Sequence, residues 1–236
     1  MNPSYRIASS LIERAKRSGH VASGPFKGTL LTPGAEDHQW NKTMGAYEFY
    51  LHDAVEDAIQ RRPPLCIDVG AAEGYYTLGL AHRLPGSRHI AYEMVDEFRA
   101  ILSQSIAKQP VPVQVKGICT REELIRDLAS SAEGFLVMDC EGAEEMLLTA
   151  ETMPHLKRWT VLLEVHDFQA PGAGEKILKL FADSHSVKVL QSWEPEASDL
   201  SAFARWPLNQ FCRDAFRSLF DEGRNCTMRF FYFTPR

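Results

Sequence analysis

The apolar positions of this chain fall into two alternating patterns. Short continuous apolar runs are followed by stretches in which apolar positions return every three or four residues. The first pattern reads as buried strand and the second as amphipathic helix. Strands are expected over 65–69, 88–93, 112–118, 134–140, 160–168 and 186–193, with a closing strand in CTMRFFYFTPR at 226–236. Helices are expected between them, over 75–84, 95–108, 120–130, 142–150 and 174–183. Ahead of the first strand, Phe49, Tyr50, Ala54, Val55, Ala58 and Ile59 keep a helical period over 47–61, and Pro63-Pro64 stop that helix. Ile7, Leu11, Ile12 and Ala15 give residues 1–20 an amphipathic helical pattern. Residues 21–46 are rich in Gly, Pro and Thr and read as loop or short extended pieces.

Alternating strands and helices with apolar strands imply an α/β fold, a mostly parallel sheet covered by helices on both faces. The last two strands lack a confident crossover helix, so an antiparallel last strand is expected. The domain boundaries follow. Residues 1–46 form an appendage, a lid or a dimer contact, and 47–236 form one domain. Within it, the aromatic-rich 195–222 stretch, with Phe203, Trp206 and Phe211, reads as a lid-like insertion or a cover for the sheet edge.

Composition narrows the class. At 236 residues, 44% hydrophobic and 24% charged, the chain is an ordinary soluble globular protein. Its net charge of −5 argues against a nucleic-acid partner, which wants a basic face. The five cysteines (66, 119, 140, 212 and 226) are scattered without a C-x-x-C pair, so zinc is not indicated. Cys66, Cys119 and Cys140 sit in or beside apolar runs and read as buried thiols. No run approaches the ~20 apolar residues of a membrane span. The charged N-terminus does not read as a signal peptide, so a reducing, cytoplasmic location is expected.

The chemistry centres on LCIDVGAAEGYYTLGLA, residues 65–81. A buried strand runs into Asp68, then Gly70, Ala71 and Gly74, and then a helix bearing Tyr76 and Thr77. The glycines let a backbone approach a ligand closely, and the helix start can meet an anionic group. Glu93, about 20 residues on at the end of the second strand, can accept both hydroxyls of a ribose. The dinucleotide fingerprint G-x-G-x-x-G is absent: Ala72 and Tyr75 stand where its second and third glycines belong. That spacing argues against a nicotinamide dehydrogenase. The observed D-x-G-x-x-x-G form resembles the S-adenosylmethionine loop of class I methyltransferases.

Ligands of such sheets bind at the carboxyl ends of the strands. The fourth strand ends at Asp139, Cys140, Glu141 and Gly142, and the fifth at Glu164, Val165 and His166. Glu164 and His166 are two apart and so share a face. A charge in a buried strand is costly unless paired, so these side chains mark a site. They admit two chemistries. His166 can be a general base oriented by Glu164 or Asp139. Alternatively Asp139, Glu164 and His166 hold a divalent metal, Mg²⁺ or Mn²⁺. Glu141 and Glu144, three apart at a helix start, either complement the helix dipole at the surface or point one acid inward. Thr120 reads as an N-cap with Glu123 at capping-box spacing.

Taken together, G-A-Y-E (45–48), C-I-D-V-G-A-A-E-G-Y-Y-T (66–77), Tyr92-Glu93, V-M-D-C-E-G-A-E (137–144) and L-L-E-V-H (162–166) resemble the FkbM family of S-adenosylmethionine-dependent methyltransferases. The resemblance covers residues 43–168, with Met94 where the family often has Pro. It implies a Rossmann-like class I fold of seven strands, the seventh antiparallel. It also places Tyr47 and Glu48 near the cofactor, although they equally fit a plain helix start. The implied activity is O-methylation of a small molecule, sugar or glycolipid bearing a free hydroxyl; a homodimer is one arrangement in which the chain could act. N- or C-methylation, or a catalytically silent S-adenosylmethionine-binding module, would use the same loop.

Overall fold

A computed structural model describes residues 10, 13, 17–32, 39–109, 112–192 and 227–236. The expected insertion at 195–222 lies outside the described residues, as does most of the helix expected over 1–20. Each expected strand is present with small shifts at its ends: β1 (Leu65–Val69), β2 (Arg88–Tyr92), β3 (Val113–Lys116), β4 (Gly134–Met138), β5 (Trp159–Val165), β6 (His185–Gln191) and β7 (Arg229–Pro235). The helices are α1 (Gln39–Met44), α2 (His52–Gln60), α3 (Tyr75–Arg83), α4 (Asp96–Ile106), α5 (Arg121–Leu128), α6 (Glu144–Leu147), α7 (Met153–Leu156) and α8 (Ala173–Phe181).

The seven strands form one sheet in the order β3-β2-β1-β4-β5-β7-β6. Strands β1 to β5 pair in parallel. β7 runs antiparallel to both β5 and β6, between them. The expected antiparallel last strand is therefore present, and it is inserted into the sheet. Successive side chains on a strand point to opposite faces, and here both faces are covered. Cys66, Phe135, Val137, Leu162 and Phe230 join the core under α2, while Leu65, Ile67, Leu136, Met138 and Leu163 join the core under α5 and α8. Among the described residues, no helix is long and apolar enough to cross a membrane.

Two expectations are corrected. Residues 47–61 are not one helix. Glu48 takes a left-handed backbone, φ 47°, which a right-handed helix excludes. Phe49–Leu51 form a 3₁₀ turn, and α2 begins only at His52. Residues 142–150 are likewise not one helix. Glu141 and Gly142 are both left-handed, so α6 starts at Glu144. α7 then opens with Pro154 in its first turn, where proline is tolerated and from where it cannot continue an earlier helix.

The segment before β1 is part of the core. Val21, Phe26, Met44 and Ala46 are buried in the same cluster as Phe135 and Val137. Phe26 packs edge-on against Tyr75 and Tyr76 and lies over Gly79, where a Cβ would come within 2.2 Å of its ring. The glycine in the middle of α3 is there for that contact. Residues 21–46 also contain the short helix α1, where the sequence indicated loop or short extended pieces. Cys66 is buried as expected, but Cys119 and Cys140 are only half-buried, because both lie just past strand ends.

Candidate active site

The alternation of strand faces builds the site. Asp68 follows Cys66 on β1, Asp139 follows Val137 past β4, and Glu164 follows Leu162 on β5, so all three face the same side at the carboxyl end of the sheet. One cleft of about 220 Å³, open mouth included, receives Asp139 and Glu164 together with Glu48 and Tyr76. Leu51, Leu162 and Phe230 supply its apolar wall. Glu48 is buried and accepts a 2.5 Å hydrogen bond from the Tyr76 hydroxyl. Burial, with the Glu48 carboxylate beside it, holds the Tyr76 phenol well above its ordinary pKa.

The loop after β1 spends its own polar groups internally. The N–H groups of Gly70 and Ala71 donate to the Tyr92 carbonyl, and that of Ala72 donates to Glu93 Oε2 at 2.8 Å. Glu93 Oε1 accepts from Val95 N–H at 2.7 Å. Thus Glu93 ties the loop to the end of β2. Its carboxylate oxygens each have a second lone pair for a hydroxyl donor. The glycines serve the protein. A Cβ on Gly70 would fall 1.6 Å from the Asp139 carbonyl oxygen, and one on Gly74 would fall 2.4 Å from Leu102. The backbone just past β4 and Leu102 of α4 occupy the space a side chain would need, so the packing of the loop itself requires both glycines.

Asp68 caps α3 from beneath. Its Oδ2 accepts the Thr77 hydroxyl at 2.5 Å, and the Thr77 N–H supports the same carboxyl. Burial pushes the Asp68 pKa up to about 7, the Thr77 hydrogen bonds oppose the rise, and the Asp139 and Glu93 charges add to it. Thr77 therefore turns toward Asp68 and does not line the cleft. Tyr47 also stays off the cleft wall. Its ring packs edge-on against Tyr75, under the Lys42 ammonium.

The structure brings Asp139, Glu164 and His166 together. One donor atom from each lies within 4.8 Å of the others. The partner that orients His166 is a correction. It is Glu144, not Glu164 or Asp139: His166 Nδ1 lies 2.7 Å from Glu144 Oε1. The other ring nitrogen, Nε2, lies 3.5 Å from both Asp139 Oδ1 and Glu141 Oε2. Burial alone would lower the His166 pKa, but the Glu144 hydrogen bond and the charges of Asp139, Glu144 and Glu141 raise it. In return, His166 holds the Glu144 carboxyl below its ordinary value against the opposing effect of burial. Sequence reasoning placed Glu144 at a helix start and left its role open between surface acid and inward-pointing group. Its complete burial selects the second.

Comparison with known proteins follows the fold. No protein-family model matches the chain, and no curated protein sequence matches it. Among solved structures, the chain is similar to an O-methyltransferase from Bacillus cereus in complex with SAH. The TM-score is 0.51 at 12% identity, over 100% of this chain and 92% of that one. It is also similar to a protein from Klebsiella pneumoniae described as a candidate O-methyltransferase, with a TM-score of 0.53 at 9% identity, over 99% and 91% of the two chains. The chain thus has the Rossmann-like fold of the class I methyltransferases. At these identities the likeness is one of fold.

Proposed function

We propose that this protein is an S-adenosylmethionine-dependent O-methyltransferase of the FkbM type. It would act on a hydroxyl of a small molecule, sugar or glycolipid, with a divalent metal at the acceptor. The observation that carries the reading is the convergence of Asp139, Glu164 and His166 beside the loop that follows β1. The residues fit both absent groups. For the cofactor, Glu93 stands ready as ribose acceptor, and Met94 and Ile118 leave apolar surface exposed at the ends of β2 and β3, where an adenine ring needs cover. For the metal, two carboxylates and an imidazole make an N,O donor set. With Nδ1–H donated to Glu144, Nε2 faces two carboxylates, an arrangement that a metal cation or a proton on Nε2 would satisfy.

S-adenosylmethionine, where bound, would supply an electrophilic methyl carbon whose leaving group is the neutral thioether of S-adenosylhomocysteine. Asp139, Glu164 and His166 would hold the divalent ion, which would supply Lewis acidity toward an acceptor hydroxyl. The chain's own work is positioning. Leu51, Leu162 and Phe230 exclude water from one wall of the cleft. Glu48, held by Tyr76 with a left-handed backbone, fixes a polar part of the same lining. Backbone strain of this kind persists only where the surroundings enforce it.

The test is calorimetric titration with S-adenosylhomocysteine and, as a control, with NAD, in the presence of EDTA or Mn²⁺. Micromolar binding of the first and none of NAD is expected, followed by Mn²⁺-dependent turnover in a screen of hydroxylated acceptors. No binding of S-adenosylhomocysteine under either condition would sink the reading. Turnover that survives EDTA would remove the metal and return His166 to the role of general base.

A further inference from the structure

We infer that Glu144 is a positioning residue that builds the imidazole ligand of the cation site and thereby tunes the site toward Mn²⁺ over Mg²⁺. The inference rests on the metal reading proposed above. Four observations carry it. Glu144 is 0% and His166 2% exposed, so their contact has no water to compete with it. The Nδ1 to Oε1 distance of 2.7 Å is that of a charge-assisted hydrogen bond. The acceptor oxygen is itself fixed by Gly142 N–H at 3.2 Å, in the turn made by left-handed Glu141 and Gly142. Finally, Phe168 packs edge-on against the ring with centroids 5.6 Å apart, which limits its rotation.

The chemistry follows from the tautomer. A carboxylate at Nδ1 keeps the proton on that nitrogen, so Nε2 presents its lone pair on the side of Asp139 and Glu141. A buried carboxylate behind a ligating imidazole also raises its basicity, and removing such a partner typically costs 10–100-fold in metal affinity. Imidazole suits first-row transition ions, of which Mn²⁺ is the weakest binder, whereas Mg²⁺ keeps to carboxylate, carbonyl and water oxygens. A strong imidazole donor therefore shifts the site from Mg²⁺ toward the transition ions, and Mn²⁺ is the most stringent probe of that shift.

The experiment is calorimetric titration of the full chain with Mn²⁺ and with Mg²⁺, on wild type, Glu144→Gln, His166→Ala and Glu145→Gln. The last variant is the control. It removes the neighbouring charge on α6, where Glu145 pairs with Lys176 outside the site. Wild type is expected to bind one Mn²⁺ at least tenfold more tightly than Mg²⁺. Glu144→Gln should lose 10–100-fold in Mn²⁺ affinity, with Glu145→Gln unchanged. Pulsed electron paramagnetic resonance of Mn²⁺-loaded wild type should show one coupled nitrogen, absent in His166→Ala. This spectrum needs no Glu144 variant, so it decides the imidazole ligand even if Glu144→Gln fails to fold. Equal Mn²⁺ affinity in wild type and Glu144→Gln would overturn the role of Glu144. Equal affinity for Mn²⁺ and Mg²⁺, or no coupled nitrogen, would overturn the ligand assignment. Binding of S-adenosylhomocysteine by the same samples separates these failures from failure of the methyltransferase reading itself.

Discussion

Asp68 shows how the sheet treats a single residue. An aspartate in an unfolded chain titrates near ~4, whereas burial pushes this one up to about 7. The folded state therefore holds the proton more tightly than the unfolded state. Its contribution to stability is fully present below the unfolded value and is lost as pH rises through about 7. Asp68→Asn keeps an oxygen for the Thr77 hydroxyl and removes the titration. Its stability should gain on that of wild type progressively between about pH 4 and about pH 7, by at most about 4 kcal/mol, read as a growing difference in melting temperature. Parallel pH profiles of melting for the two proteins would refute this account. At this scale the sequence was legible where strand parity decides. Asp68, Asp139 and Glu164 were readable because each sits two residues beyond an apolar position on the same face. Glu144 was not. Its partner lies 22 positions away, and an acid in a first helical turn has a sufficient local explanation in the helix dipole.

Among elements, the turns carry the information that periodicity lacks. Gly70 illustrates it, with φ at 87° and the Asp139 carbonyl where a Cβ would sit. Gly70→Ala combines backbone strain with a backbone clash and should cost roughly 3 kcal/mol or more in urea unfolding. Gly86→Ala, where a Cβ meets nothing within 4 Å, should stay within about 0.5 kcal/mol. A mild Gly70→Ala would mean that the loop and β4 move apart cheaply. The helix over 47–61 was misread for a related reason. Phe49, Tyr50 and Leu51 are buried and keep a helical spacing with Ala54 and Val55, but the left-handed Glu48 and the 3₁₀ turn separate them from α2. Hydrophobic spacing reports which side chains are buried, and only the backbone angles report where the helix begins. By contrast, Thr120 was legible, because its hydroxyl accepts from Glu123 N–H at 3.2 Å in the expected cap.

Over the whole molecule, the segment before β1 shares its core with the sheet. Truncating Phe26 therefore tests the unity of the domain. Phe26→Ala should lower stability by about 3–5 kcal/mol, in a single transition seen equally by circular dichroism and tryptophan fluorescence. Two separated transitions would show instead that the segment melts on its own. The sheet topology was legible from the alternation of apolar runs, because β1, β2, β4 and β5 are buried on both faces and so read as continuous runs. The place of β7 was not, since sequence order says nothing of insertion between two earlier strands.

That insertion has a consequence for synthesis. Among the described residues β6 pairs only with β7, so residues 185–191 have no such neighbour in the sheet until residues 229–235 leave the ribosome. At ~5–20 residues per second, the nascent chain waits seconds with the outer edge of β5 open. Throughout that interval, the edge that will later lock against Phe231 and Phe233 is available to any other strand. Mispairing at the edge of β5 is therefore a hazard of the interval before β7 emerges.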